Sequence, residues 1–169
     1  ISTAMGSHTT ASGISSTTMG EGTVSSGDYS IAMGLLVKSK SFGGFAAGLY
    51  NDSTNAANAS NYNSLNRIFQ IGNGTAPYAL SNAMTILQNG NTGIGELTPL
   101  THLHISGSGA TNQLILEDST NNKIIRLSND GGGSGPYIGT STNHPFSFVT
   151  NNNVRAIITN AGLVDVKND

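Results

Sequence analysis

Glycine recurs at every seventh position at the start of this chain: Gly6, Gly13, Gly20, Gly27 and Gly34. The residue before it alternates, Met5, Ser12, Met19, Ser26, Met33, so the full period is fourteen, in two unequal halves. The beat returns at Ala47-Gly48, while Lys38 to Gly44 breaks it, with Lys40-Ser41 where Ser-Gly is expected. A heptad coiled coil is excluded, because a glycine in every heptad costs about 1 kcal/mol each and no a/d apolar pair exists. Thr, Ser, Val and Ile around a fixed Gly instead suit a short strand followed by a tight turn. Two such halves make one coil of a parallel β-solenoid, with coils about 4.8 Å apart and residue i above residue i+14.

Alternation along each strand assigns the faces. Ala4, Ala11, Thr18, Ser25, Ala32, Ser39 and Ala46 share one register and are all small, which places them inside a thin roll. Met5, Met19, Met33 and Ala47 form an outward ladder on one wall, and Ser12, Ser26 and Lys40 one on the other. An interior of methyls and hydroxyls buries too little apolar area, at about 25 cal/mol per Å², to offset backbone ordering. The methionine wall therefore needs a cover, and an identical chain related by cyclic symmetry is the simplest one. A loop of the same chain is the alternative.

Composition narrows the function. Charged residues are 9% of the 169, against roughly 25% in an ordinary domain. A net charge of −2 leaves no basic stripe for nucleic acid. Without cysteine there is no disulfide framework or thiol nucleophile. No apolar run approaches the roughly 18 residues of a membrane span, and no signal peptide is read, so no membrane insertion is expected in this segment. The pattern is already running at Ile1, so we expect a piece of a longer chain.

STAMGSHTTASG and SIAMG resemble the head repeats of YadA-like trimeric autotransporter adhesins, whose consensus is close to SxAxGxxAxAxG. The resemblance covers residues 1–50 and implies a trimeric left-handed parallel β-roll with a role in surface attachment. Methionine stands where that family more often has Val or Ile, which keeps the apolar ladder but loosens its packing.

None of the 20 Asn precedes Asn51, and six fall within residues 51–66. This shift marks a connector between a head (1–50) and a second module (67–169). Asn51, Asn58 and Asn73 begin N-x-S/T sequons, expected to be chance occurrences left unmodified. Beyond them, strand-like runs alternate with Gly/Asn turns: 67–72, 83–88, 102–105, 113–118, 123–128, 145–150 and 154–159. Almost no helix is expected. The stretch from Met84 to Gly95 parallels that from Ala156 to Val164: apolar strand, polar pair, Gly turn, second short strand. GNTGIGELTPLTHLHISG resembles the GNVGIGTxxPxxKLHV motif of phage tail fibres and related bacterial fibre proteins, and TNHPFSFVTNNNVRAIITNAG a segment preceding it. In such proteins an endosialidase-type intramolecular chaperone often follows; we expect it to have been cleaved off or to lie outside this chain.

No residues gather into a recognisable chemistry. His102 and His104 share one strand face and in a trimer could bring six imidazoles to an axis, but a packed or surface pair is the simpler reading. His144 sits in a turn before Pro145. No Ser lies in a nucleophile elbow, the nine carboxylates are scattered, and the GNGT and SGSG runs lack the Lys and helix of a phosphate loop. The threonines keep no single column across coils, which argues against ice binding. We expect no enzyme activity, cofactor or metal.

The resulting expectation is an all-β homotrimer: a trimeric left-handed parallel β-roll (β-solenoid), then a β-rich fibre module. Met5, Met19, Met33 and Ala47 would pack at the trimer axis, and Gly6, Gly13, Gly20, Gly27, Gly34 and Gly48 would form turns. Tyr50, Tyr62, Tyr78 and Tyr137 are receptor-binding candidates, since tyrosine stacks on sugar faces at low entropy cost. The function expected is extracellular attachment to a host-surface glycan or protein receptor, as a virion tail fibre. A bacterial surface adhesin or stalk is the alternative, and a polysaccharide depolymerase a third.

Overall fold

The computed structural model describes residues 1–54, 58–107, 112–130, 135–140 and 143–166, with no helix among them. The strands are β1 (Thr3–Ser7), β2 (Thr10–Ala11), β3 (Thr17–Glu21), β4 (Val24–Ser25), β5 (Ile31–Leu35), β6 (Lys38–Ser39), β7 (Phe45–Leu49), β8 (Arg67–Asn73) and β9 (Asn82–Leu87). They continue with β10 (Thr92–Ile94), β11 (Leu103–Ile105), β12 (Asn112–Asp118), β13 (Lys123–Asp130), β14 (Gly135–Thr140), β15 (Phe146–Thr150), β16 (Asn153–Ile158) and β17 (Val164–Val166). They fall into two compact units, Ile1–Ser106 and Gly107–Asp169.

Unit 1 opens as a β-solenoid. Strands β1, β3, β5 and β7 stack in parallel with each residue opposite the one fourteen later, and β2, β4 and β6 form the second wall in the same register. The fourteen-residue period is thus the coil length. Thr18, Ser25, Ala32, Ser39 and Ala46 are fully buried as expected, Ala11 is half-buried, and Ala4, in the first strand of the stack, is exposed. Side chains this small let the two walls approach. Hydroxyls close the turns: Ser16 Oγ donates to the Gly13 carbonyl at 2.8 Å, and Ser30 Oγ repeats the bond to Gly27 one coil later.

The glycines correct the sequence reading. Gly13 and Gly27 do open turns, but Gly6, Gly20, Gly34 and Gly48 lie inside strands β1, β3, β5 and β7. These four have φ between +104° and +125°, and a Cβ on any of them would overlap the carbonyl oxygen of the stacked glycine in the next strand. The turns instead place a left-handed residue every seven positions: His8, Ser15, Gly22, Tyr29, Leu36, Gly43 and Tyr50. Glycine is required where backbones meet, whereas the exposed turn tips accept side chains.

The expected boundaries at 50/51 and 66/67 fall inside unit 1. The Asn-rich segment docks on the solenoid: the Asp28 and Phe42 N–H groups donate to the Ala59 and Asn58 carbonyls at 2.7 and 2.8 Å. β8 then resumes the stack in parallel with β7, Phe45 opposite Phe69, so the insertion is absorbed without breaking the sheet. β9 adds antiparallel to β8, β10 antiparallel to β9, and β11 parallel to β10, completing eight strands. Over these coils amides replace methyls inside: Gln70 lies opposite Ala46 and Thr85 opposite Gln70, and Asn82 Nδ2 donates to Gln70 Oε1 at 3.1 Å. Arg67 is buried and donates through Nη1 to the Asp52 carbonyl at 3.0 Å. Desolvation lowers its pKa, and the nearby Asp52 carboxylate partly offsets this.

Unit 2 comprises two antiparallel three-stranded sheets, β12-β13-β14 and β15-β16-β17. The internal repeat read from the sequence is a real hairpin repeat. In β9–β10, Leu87 N–H donates to Asn91 O and Gly90 N–H to Leu87 O; in β16–β17, Thr159 N–H donates to Leu163 O and Gly162 N–H to Thr159 O. Both turn glycines have φ near +80° to +90°.

Candidate assembly face

The outer surface of the eight-stranded sheet carries an apolar column longer than the repeats that begin it. Met5, Met19, Met33 and Ala47 lie in strict register, and the same row continues through Ile71, Met84, Ile94 and Ile105. Beside it runs Ile31, Phe45, Phe69 and Ile86, with the two phenylalanine rings stacked 5.5 Å apart. The alternation of a strand produces this arrangement: Ala32, Ala46, Gln70 and Thr85 turn inward, so their neighbours turn outward. Parallel and antiparallel strands contribute to one face without interruption.

Among the described residues of Ile1–Ser106, much of this face is left exposed. Met5 is 54% exposed, Met19 37%, Ile94 40% and Leu103 58%, while Met33 and Ala47 are half-buried among neighbours on the same face. The opposite wall carries Ser12, Ser26 and Lys40, exposed to half-buried. Apolar and nearly uncharged, the sheet face has the character of a protein–protein contact.

The tyrosine candidates are spread out. Tyr50 is half-buried at a turn with φ +44°, Tyr62 stands exposed in the Asn-rich segment, and Tyr78 is 93% exposed in the turn closed by Ala79 N–H donating to Ala76 O. Tyr50 and Pro77, the neighbour of Tyr78, line a cavity of about 90 Å³ with Leu36, Lys38 and Leu80. Of Tyr137, only the backbone in β14 lies within the described residues. Tyr29, not singled out by sequence, joins the exposed aromatics, its ring edge-on to Phe42 at 5.6 Å. The tyrosine one coil above Ser15, at a left-handed tip, was the available signal.

Charge chemistry is sparse. Thr98 holds the Glu96 carboxyl below its ordinary value, first through its backbone N–H at 2.8 Å, with lesser help from its hydroxyl and from His104. Asn121 does the same for Asp118, through its side-chain amide and then its N–H. His102 is exposed just before β11, and His104 is half-buried within it. Among the described residues no group of three or more His, Asp or Glu gathers as a metal site would need, and no helix is long and apolar enough to cross a membrane.

The fold places the chain among β-solenoid proteins bearing one apolar sheet face. Neither protein-family models, nor curated proteins, nor solved structures give a match to it.

Proposed function

We propose that this chain is a segment of a homotrimeric extracellular fibre that attaches to a host-surface receptor, most simply a glycan, as a tail fibre of a phage or phage-like particle. The observation that carries the assembly is the uncovered apolar column from Met5 to Ile105. A thin solenoid with a small-residue interior gains its missing apolar burial when three such faces meet at an axis. Attachment is supported by the adhesin-like repeats, by the exposed Tyr62 and Tyr78, and by a chain rich in hydrogen-bonding Asn, Ser and Thr. The chain binds in this reading and turns nothing over.

Light scattering tests the assembly: the expected mass is three times the 17.3 kDa of one chain. Met19→Asp and Ile94→Asp are each expected to yield monomers. A folded wild-type monomer overturns the assembly. Labelled trimer applied to an array of bacterial surface polysaccharides and to whole cells tests attachment; retention weakened by Tyr78→Ala is expected, and a trimer retained by neither overturns it.

A further inference from the structure

Cations are few in this chain, and the ammonium of Lys38 pairs with no carboxylate among the described residues. Asp52, one coil length further on, is engaged elsewhere. Its carboxylate accepts the Thr54 N–H at 2.8 Å and the Thr54 hydroxyl, and lies 4.0 Å from Arg67 Nη1. Lys38 instead lines the cavity of about 90 Å³ at this corner of the solenoid, with Leu36, Tyr50, Ser53, Pro77 and Leu80. No Asp or Glu lines it.

The walls are fixed by backbone bonds. Leu36 and Tyr50 are the left-handed residues of successive coils, and their N–H groups donate to the Glu21 and Leu35 carbonyls at 2.8 and 3.0 Å. The Tyr50 carbonyl accepts the Ser81 N–H at 3.2 Å, and Thr75 N–H donates to Ala79 O at 3.1 Å. The turn that carries Pro77 and Leu80 is thereby fastened to the same corner. The Asn51 amide fixes the backbone of Lys38. A second, independent observation is Ser53, which is only 6% exposed while its hydroxyl makes no hydrogen bond among the described residues. A nearly buried hydroxyl without a partner is costly unless something reaches it.

We propose that this cavity seats the carboxylate end of an acidic sugar, a uronate of a surface polysaccharide. A carboxylate has two oxygens, and the cavity offers two donors for them, the Lys38 ammonium and the Ser53 hydroxyl. Leu36, Tyr50, Pro77 and Leu80 supply apolar surface for the C–H groups of the sugar ring. A space this small takes one charged substituent and the edge of a ring, so it selects a sugar by its charge rather than by its length. A phosphate would find a single ammonium here, without the fork of an arginine or a helix N-terminus. Walls already fixed leave little to order on binding. The inference rests on the attachment reading above and names the class of its ligand.

Amide NMR of the whole chain, titrated with methyl glucuronide up to ~50 mM, tests the site directly, since one charged contact supports affinities on the order of millimolar. Shifts are expected at Lys38, Tyr50, Ser53 and Leu80, with methyl glucoside and inorganic phosphate leaving these signals in place. Lys38→Gln and Ser53→Ala should each weaken glucuronide binding by about tenfold. Both should keep the wild-type thermal midpoint, because Lys38 is exposed and the Ser53 hydroxyl gives up no partner. Lys40→Gln removes the same charge outside the cavity and should leave binding unchanged. No shift with glucuronide, an equal response to glucoside or phosphate, or full binding by Lys38→Gln overturns the inference. Attachment is scored apart from the site. Equal capture of the protein by a uronate polysaccharide and by its carboxyl-reduced form keeps the attachment reading and overturns this one. Glucuronide shifts at the cavity with capture by neither polysaccharides nor cells uphold the site and overturn the attachment reading.

Discussion

The side-chain amide of Asn51 holds both backbone groups of Lys38: its Oδ1 accepts the Lys38 N–H at 2.8 Å, and its Nδ2 donates to the Lys38 carbonyl at 3.0 Å. Lys38 belongs to β6, the last strand of the second wall, where another coil would otherwise supply those partners. One buried amide therefore imitates a strand and ends one wall while β8 lets the other continue.

Asn51→Ala is expected to destabilise the folded chain by about 2–3 kcal/mol, since two backbone groups lose their partners. Asn51→Asp should be no better, because a carboxylate keeps the acceptor but faces the Lys38 carbonyl without a donor. Denaturant midpoints at fixed protein concentration check both; an Asp variant as stable as wild type would show that the donor contributes nothing.

Two glycines, both at positive φ, differ in crowding. At Gly20 a Cβ would strike the Gly34 carbonyl, whereas at Gly43, with φ +62°, it meets nothing within 4 Å. Gly43→Ala is expected to cost about 1–2 kcal/mol from the left-handed conformation alone. Gly20→Ala should cost more than about 4 kcal/mol, the range reserved for backbone displacement in a packed region. Comparable losses from thermal unfolding would refute the stacked-glycine account.

Thr18 is expected to reward replacement. Its Oγ1 is buried without a hydrogen-bond partner, between Ala4 and Ala32 in the interior column. Thr18→Val keeps the shape, removes an unsatisfied hydroxyl and should stabilise by about 1 kcal/mol. A loss of stability would mean that the hydroxyl is satisfied in solution.

Glu96 gives an acid-side effect. Its folded-state pKa is lowered, chiefly by the Thr98 N–H. Its contribution is therefore present above the unfolded-state value and lost as pH falls through the depressed folded-state value. The carboxyl is largely solvated, so the effect should be small and weakened by salt. A carbon-detected titration of Glu96, with Glu96→Gln as reference, checks it; a pKa at or above the ordinary value would contradict the geometry.

Much of the solenoid was legible because its signal is periodic. Ala32, Ser39 and Ala46 could be placed inside from spacing alone, since a fourteen-residue repeat leaves one way to alternate. The glycines show where that reading was too coarse: their spacing was plain, but contact between Gly20 and Gly34 is a property of stacked backbones, and composition alone suggested turns. The break at Lys38 to Gly44 looked like decay, yet β6 keeps its register there. The Asn-rich stretch read as a connector because nothing local reveals that Asn66 would reach Gln88 Oε1 at 3.0 Å, twenty-two positions away. β14 escaped notice in a Gly- and Pro-rich stretch, its strand character set by pairing with β13. The Met column was visible for four rungs; its extension through Ile71, Met84, Ile94 and Ile105 required knowing that four further strands join in register, two of the pairings being antiparallel.

The row of touching glycines makes the solenoid behave as a ruler with fixed graduations. Duplicating or deleting one whole repeat slides every rung onto an equivalent rung, changing reach by about 4.8 Å while the amide terminator and the outer face stay aligned. A shift of a single residue would put a side chain into every one of those contacts at once. Length in this part of the molecule can therefore drift only in quanta, and chains sharing this plan should differ by complete coils.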